Sequence, residues 1–99
     1  MNEDTVYIVA HAVAREDEES RVQAHLEKLI GPTRAEPGCL RYELFVNKEK
    51  PGDFVFLEEY ESDNAFQAHM DSKHVNAAIA EVVPLLAVPP DIRRYRRLK

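Results

Sequence analysis

Glu58, Glu59, Tyr60, His69 and His74 stand within seventeen residues of otherwise core-like sequence, FVFLEEYESDNAFQAHMDSKH from Phe54 to His74. A histidine titrates near neutral pH and accepts a proton from a phenol or an enol. Glu58 and Tyr60 are two residues apart, so on a strand they share one face. The turn through Ser62-Asp63-Asn64 folds the helix carrying His69 back over that face. His69, Tyr60 and Glu58 together suit deprotonation of an activated aromatic or enolic compound, with the tyrosine orienting or donating to an oxygen. The same three residues also suit a blander arrangement: a hydrogen-bonded core histidine, and a carboxylate paired with arginines near the C-terminus.

Other chemistries are poorly served. The chain has three glycines, none arranged as a phosphate-binding loop. His69 and His74 are five residues apart, which turns about 140° on one unbroken helix and does not suit a shared metal. A helix break at Ser72 would let the two rings converge, but no third ligand is indicated. No metal is therefore expected. Cys39 is the one cysteine, which excludes an internal disulfide and any cysteine-based metal cluster. Following Pro37-Gly38 at a strand start, it reads as a small buried hydrophobe.

The elements that must position these groups follow from periodicity. Thr5 to Val13 is β-rich, with Val6, Ile8, Ala10 and Ala12 on one face and Tyr7, Val9, His11 and Val13 on the other. Acids at 16–19 precede a helix whose Val22, Leu26, Leu29 and Ile30 recur at helical spacing. Gly31-Pro32 predicts a kink in that helix, and Pro37-Gly38 its end. Cys39 to Asn47 is a second strand, with Leu40, Tyr42, Leu44 and Val46 on one face. The charged Pro-Gly segment at 48–53 is a hairpin turn into a third strand, Phe54 to Tyr60. Ser62 or Asp63 caps the helix that follows, and Ser72 caps a second one beginning at Lys73. Val75, Ala78, Ile79, Val82 and Val83 form its apolar stripe. After Val88-Pro89-Pro90, Asp91 to Leu98 reads as the last strand.

The order β-α-β-β-α-β predicts an α+β, ferredoxin-like fold: a four-stranded antiparallel sheet with helices on one face. The whole chain, residues 1–99, reads as a single domain. A chain this short buries only about 60–65% of the surface its unfolded state exposes. The first strand is apolar on both faces and Phe45 lies off the main apolar row, so the uncovered face predicts a homodimer.

Lys and Arg number 13 against 18 Asp and Glu, a formal net charge of −5. Five of the basic residues lie in the last nine positions. Setting these and Asp91 aside leaves 8 basic against 17 acidic groups in the first ninety residues. So acidic a body is a poor nucleic-acid surface. The start, MNEDTVYIVA, lacks the positive region of a secretory leader, and no apolar run reaches the roughly 18 residues of a membrane span. A cytoplasmic protein contacting neither nucleic acid nor membrane is expected.

The segments EPGCLRY (Glu36 to Tyr42), LEEYES (Leu57 to Ser62), AFQAH (Ala65 to His69) and SKHV (Ser72 to Val75) resemble, in order and spacing, the antibiotic biosynthesis monooxygenase family. The resemblance covers nearly the whole chain. It implies a dimeric α+β barrel with a ligand cavity between each sheet and its helices. For several members it also implies oxygenation of phenols, quinols or polyketide aromatics by O2 without flavin, haem or metal, the substrate supplying the electrons. The family's recurrent positions fall on Glu58, Tyr60, His69 and His74 here. His69, Tyr60 and Glu58 are accordingly the expected catalytic residues, and His74, His11, Tyr42 and Phe66 the expected substrate-binding ones. Members commonly carry tryptophan where Tyr60 stands. This chain has none, and since related haem-degrading enzymes use that tryptophan, haem degradation is not expected. The remaining alternatives are a dimeric ligand-binding module without chemistry, and an isomerase or lyase acting on an enolic sugar phosphate held by the C-terminal arginines or His11.

Overall fold

A computed structural model describes residues 4–99 of the chain. The first three residues, part of the stretch read above for a leader, lie outside the described residues. The elements are β1 (Val6–Val13), α1 (Glu19–Glu27), α2 (Ile30–Arg34), β2 (Cys39–Val46), β3 (Asp53–Tyr60), α3 (Asp63–Met70), α4 (Lys73–Val82), a 3-10 turn (Val83–Leu85) and β4 (Asp91–Tyr95). The strands form one antiparallel sheet in the order β2-β3-β1-β4. The predicted ferredoxin-like arrangement is therefore present, with each helical connection divided in two.

Alternation sorts the sheet into two faces. Val6, Ile8, Phe54, Phe56 and Tyr60 are buried beneath the helices, with the register pairing Val6 to Tyr60 and Ile8 to Glu58. Onto this row pack Val22, Leu26 and Leu29 from the first helical connection and Val75 and Val82 from α4. Each fully buried large side chain contributes about 1.5–3 kcal/mol, so this layer holds the helices over β3. The opposite face carries Val9, His11, Val55, Phe45 and Tyr95, and Phe45 remains 44% exposed. No helix among the described residues is long and apolar enough to cross a membrane.

Two boundaries and one side-chain face differ from the sequence expectation. The first helix breaks at Lys28-Leu29, one turn before the expected kink. Pro32 has no N–H to offer the Lys28 carbonyl, so the helix fails there and restarts with Pro32 in the first turn of α2. Leu40 does not join Tyr42 on the buried row. The register slips between Cys39 and Arg41, and the extra residue turns Leu40 outward to 56% exposure. The last strand stops at Tyr95 rather than Leu98. Tyr95 pairs with Tyr7, and β1 begins only one residue earlier.

The two serine caps are as expected. Ser62 Oγ accepts from the Ala65 N–H at 3.1 Å, and Ser72 Oγ from the Val75 N–H at 3.3 Å. Gly38 brings α3 close to the start of β2: a Cβ at that position would lie 2.4 Å from the Ala65 Cβ. The Glu61 N–H donates to the Gly38 carbonyl at 2.9 Å, fixing the same approach.

Candidate active site

The central strand β3 presents Glu58 to the helices, with Tyr42 of β2 on one side and Ile8 of β1 on the other. Glu58 is buried, and its Oε1 accepts a 2.7 Å hydrogen bond from the Tyr60 hydroxyl. A carboxylate so placed loses its hydration. Burial raises the Glu58 pKa to about 7, assisted by the negative charge of Glu36 and opposed by the Tyr60 hydrogen bond. Burial and the adjacent Glu58 likewise push the phenols of Tyr60 and Tyr42 far above the ordinary tyrosine value.

His69, at the end of α3, reaches down onto this surface and is 4% exposed. Its Nε2 lies 3.9 Å from Glu58 Oε1. Its Nδ1 lies 2.9 Å from Glu36 Oε2, within donating distance of the carboxylate. Burial lowers its pKa, against the opposing pull of Glu36. The ring sits among aromatic faces, 5.1 Å from Tyr60 and 5.6 Å from Tyr42 between centroids. With Nδ1–H held by Glu36, the tautomer leaves Nε2 as an acceptor turned toward Glu58.

The helix break at Ser72 brings His74 round to the same carboxylate, its Nε2 2.5 Å from Glu36 Oε2. Ser72 Oγ ties the break together by donating to the His69 carbonyl at 2.6 Å. The two rings therefore converge as the sequence allowed for a broken helix. A third polar partner is present where none was indicated: Glu36. It lies in the tight turn between α2 and β2, where the Glu36 N–H bonds the Thr33 carbonyl and the Cys39 N–H bonds the Glu36 carbonyl. The Glu-Pro-Gly turn was legible as a boundary, but nothing in its spacing points toward residues 33 and 38 positions away.

A cavity of about 130 Å³ opens beneath α3 and α4. Its lining includes Tyr42, Glu58, Phe66 and His69, with Phe56, Met70, Val75 and Val82 supplying apolar walls. Ile79, Val83 and Ile92 stand exposed at its mouth. Four of the expected site residues are thus brought together. Tyr60 is fully buried behind Glu58 and does not line the space. His74 does not line it either; it lies on the Glu36 side of His69. His11 borders the cavity, but its ring bonds Asp53 on the opposite face of the sheet and is half exposed.

The arginines do not serve as partners of Glu58. Arg93 pairs with Asp91, Arg94 with Asp63 and lies over the Phe66 ring, and Arg97 donates to the Tyr7 hydroxyl. That removes the reading of Glu58 as an ion-pair partner of the C-terminal cluster. Among the described residues no arginine lines the cavity to hold a phosphate.

The family model described as "Antibiotic biosynthesis monooxygenase" matches residues 5–81. The chain is 37% identical over 84 residues to a Mycobacterium tuberculosis protein named "Putative monooxygenase Rv0793", covering 85% of this chain and 82% of that protein. It is 25% identical over 89 residues to "Putative monooxygenase YcnE" of Bacillus subtilis, covering 90% and 94%. The solved structure of Rv0793 superposes with a TM-score of 0.91 over 96% of each chain. Protein SO0527 of Shewanella oneidensis, 29% identical, superposes at 0.90 over 97% of this chain and 93% of its own. In sequence and in fold, this chain belongs to the antibiotic biosynthesis monooxygenase family.

Proposed function

We propose that the protein is a monooxygenase that acts without a bound prosthetic group, oxygenating a single-ring phenol or hydroquinone with O2. The observation that carries this reading is the orientation of His69. Glu36 holds Nδ1–H, which leaves Nε2 as a base beside an apolar cavity and next to a carboxyl group with a pKa of about 7. The cavity's size supports the substrate class. An apolar cavity of about 150 Å³ accommodates benzene, so about 130 Å³ suits one ring better than a polycyclic skeleton.

In the reaction, His69 Nε2 takes the phenolic proton, and Glu36 stabilises the imidazolium that results. The electron-rich anion passes an electron to O2, and the two radicals join at a ring carbon as a peroxide. Cleavage of the O–O bond leaves one oxygen on the ring. The C–H bond of that carbon breaks as its carbonyl forms, and the other oxygen departs with that proton as hydroxide, takes a second proton from His69 and leaves as water. A hydroquinone thus yields a hydroxyquinone and water, and the substrate supplies all four electrons that O2 receives. Tyr60 acts through Glu58, holding its carboxyl in place, while Tyr42 and Phe66 pack the ring. The open sheet face, with Phe45 and Tyr95 exposed, supports assembly as a homodimer through that face.

Oxygen uptake by chelator-treated protein tests this, with monocyclic hydroquinones and an anthrone-type polycycle offered at neutral pH. Uptake above autoxidation is expected with the monocyclic compounds, falling at least about 100-fold in His69→Ala. A rate unchanged in that variant would exclude His69 as the base. Saturable binding of the same compounds with no uptake would make the protein a binding module.

A further inference from the structure

We infer that Glu36, His69 and His74 form a binding site for a divalent transition metal ion of the zinc class, set behind the cavity and sharing His69 with it. Two imidazoles and a carboxylate are a zinc donor set, and three protein ligands leave an open coordination position. One ligand atom from each residue, His69 Nδ1, His74 Nε2 and a Glu36 oxygen, lies within 4.8 Å of the other two. In a tetrahedral zinc site ligand atoms stand about 3.4 Å apart. The nitrogen-to-oxygen distances of 2.9 and 2.5 Å here need to widen by less than about 1 Å, within reach of side-chain rotation.

The placement of the three groups favours the ion as well. They come from the turn before β2, the end of α3 and the first turn of α4, so the fold converges them from three elements. Their side chains are 16%, 4% and 25% exposed, sheltered yet reachable from solvent. Both imidazoles crowd Glu36 Oε2, with longer contacts of 3.2 Å from His69 Nδ1 to Glu36 Oε1 and 3.3 Å from His74 Nε2 to Ser72 Oγ, and an ion between the rings would give each nitrogen its own bond. Neither Glu36 nor His74 lines the cavity, so an ion would sit on the Nδ1 side of the His69 ring, away from the proposed substrate.

Occupation of the site has a consequence that rests on the base role proposed above. A metal on Nδ1 confines the remaining ring proton to Nε2, and the group facing Glu58 changes from acceptor to donor. Zinc would then slow the oxygenase.

The test is competition of chelator-treated protein against a chromophoric zinc indicator, together with the visible spectrum of the cobalt(II)-loaded protein. One equivalent per chain is expected, with a four-coordinate cobalt spectrum. Glu36→Gln and His74→Gln should each weaken binding by more than the roughly 10–100-fold that loss of a mere outer-shell partner costs. A zinc-induced rise in the melting temperature of the unmodified protein gives a readout independent of how the variants fold. No stoichiometric binding, or an affinity in both variants equal to that of the parent, would overturn the site and leave the base role of His69 untouched. Tight binding with unslowed oxygen uptake would leave the site standing and refute that base role.

Discussion

Raising the pH from 4.5 to 8 should cost this fold about 3 kcal/mol through Glu58 alone. The carboxyl group is buried with a folded pKa of about 7 against an ordinary 4.5. A difference of about 2.5 pH units at 1.36 kcal/mol per unit gives about 3 kcal/mol as an upper figure. The sign follows from proton binding. Below the unfolded value Glu58 is protonated in both states and the fold bears no penalty. Between about 4.5 and 7 the folded state keeps a proton that the unfolded chain has released, so stability falls as pH rises. Above 7 the buried charge is present and the loss is complete. His69 runs the other way, because its lowered pKa costs stability as pH falls. The two contributions are separated by comparison with Glu58→Gln, which keeps an oxygen to accept from Tyr60. Urea unfolding of both proteins, from pH 4.5 to 8 in the presence of chelator, gives the difference directly. The variant should gain on the parent with rising pH, by up to about 3 kcal/mol at pH 8. A difference flat across that range would mean that Glu58 ionises at an ordinary pKa, and the account of a desolvated carboxyl group at the cavity floor would fail.

Two further outcomes follow from packing. Gly38→Ala forces a methyl group to within 2.4 Å of the Ala65 Cβ and should destabilise by about 1–3 kcal/mol, read from urea midpoints; an unchanged midpoint would mean that α3 does not pack against that turn. If the open sheet face closes a homodimer, Phe45→Asp, on a side chain 44% exposed in the single chain, should halve the sedimenting mass at micromolar concentration. A parent protein that already sediments as a monomer would refute the dimer.

Much of the fold is local and was legible as such. Period-two patterning marked the strands, and the helical stripes of Val22, Leu26 and Leu29 and of Val75 and Val82 marked which faces are buried. Ser62 and Ser72 announced two helix starts, because a hydroxyl that accepts from an N–H three residues on needs only local backbone. The Leu40 bulge was hidden: it arises from matching β2 to β3, and one inserted residue reverses the face that alternation assigns. The break at Lys28-Leu29 was displaced from Pro32 because proline removes a bond to a carbonyl four residues earlier, so the consequence appears a turn away from its cause.

The candidate site divides along the same line. The sequence by itself placed Glu58 and Tyr60 on one strand face and folded the helix of His69 back over it. It left open a pairing of Glu58 with the C-terminal arginines, which the contacts of Glu58 with Tyr60 and His69 settled. It also determined that a break at Ser72 would carry His74 toward His69. Only the tertiary structure decided that both rings close on Glu36, that His74 lies behind His69 rather than in the cavity, and that His11 bonds Asp53 across the sheet. The physical reason is range. Dihedral preferences and caps act within a few residues, whereas the meeting of Glu36 with residues 33 and 38 positions away is set by how helices, turn and sheet pack around a shared core.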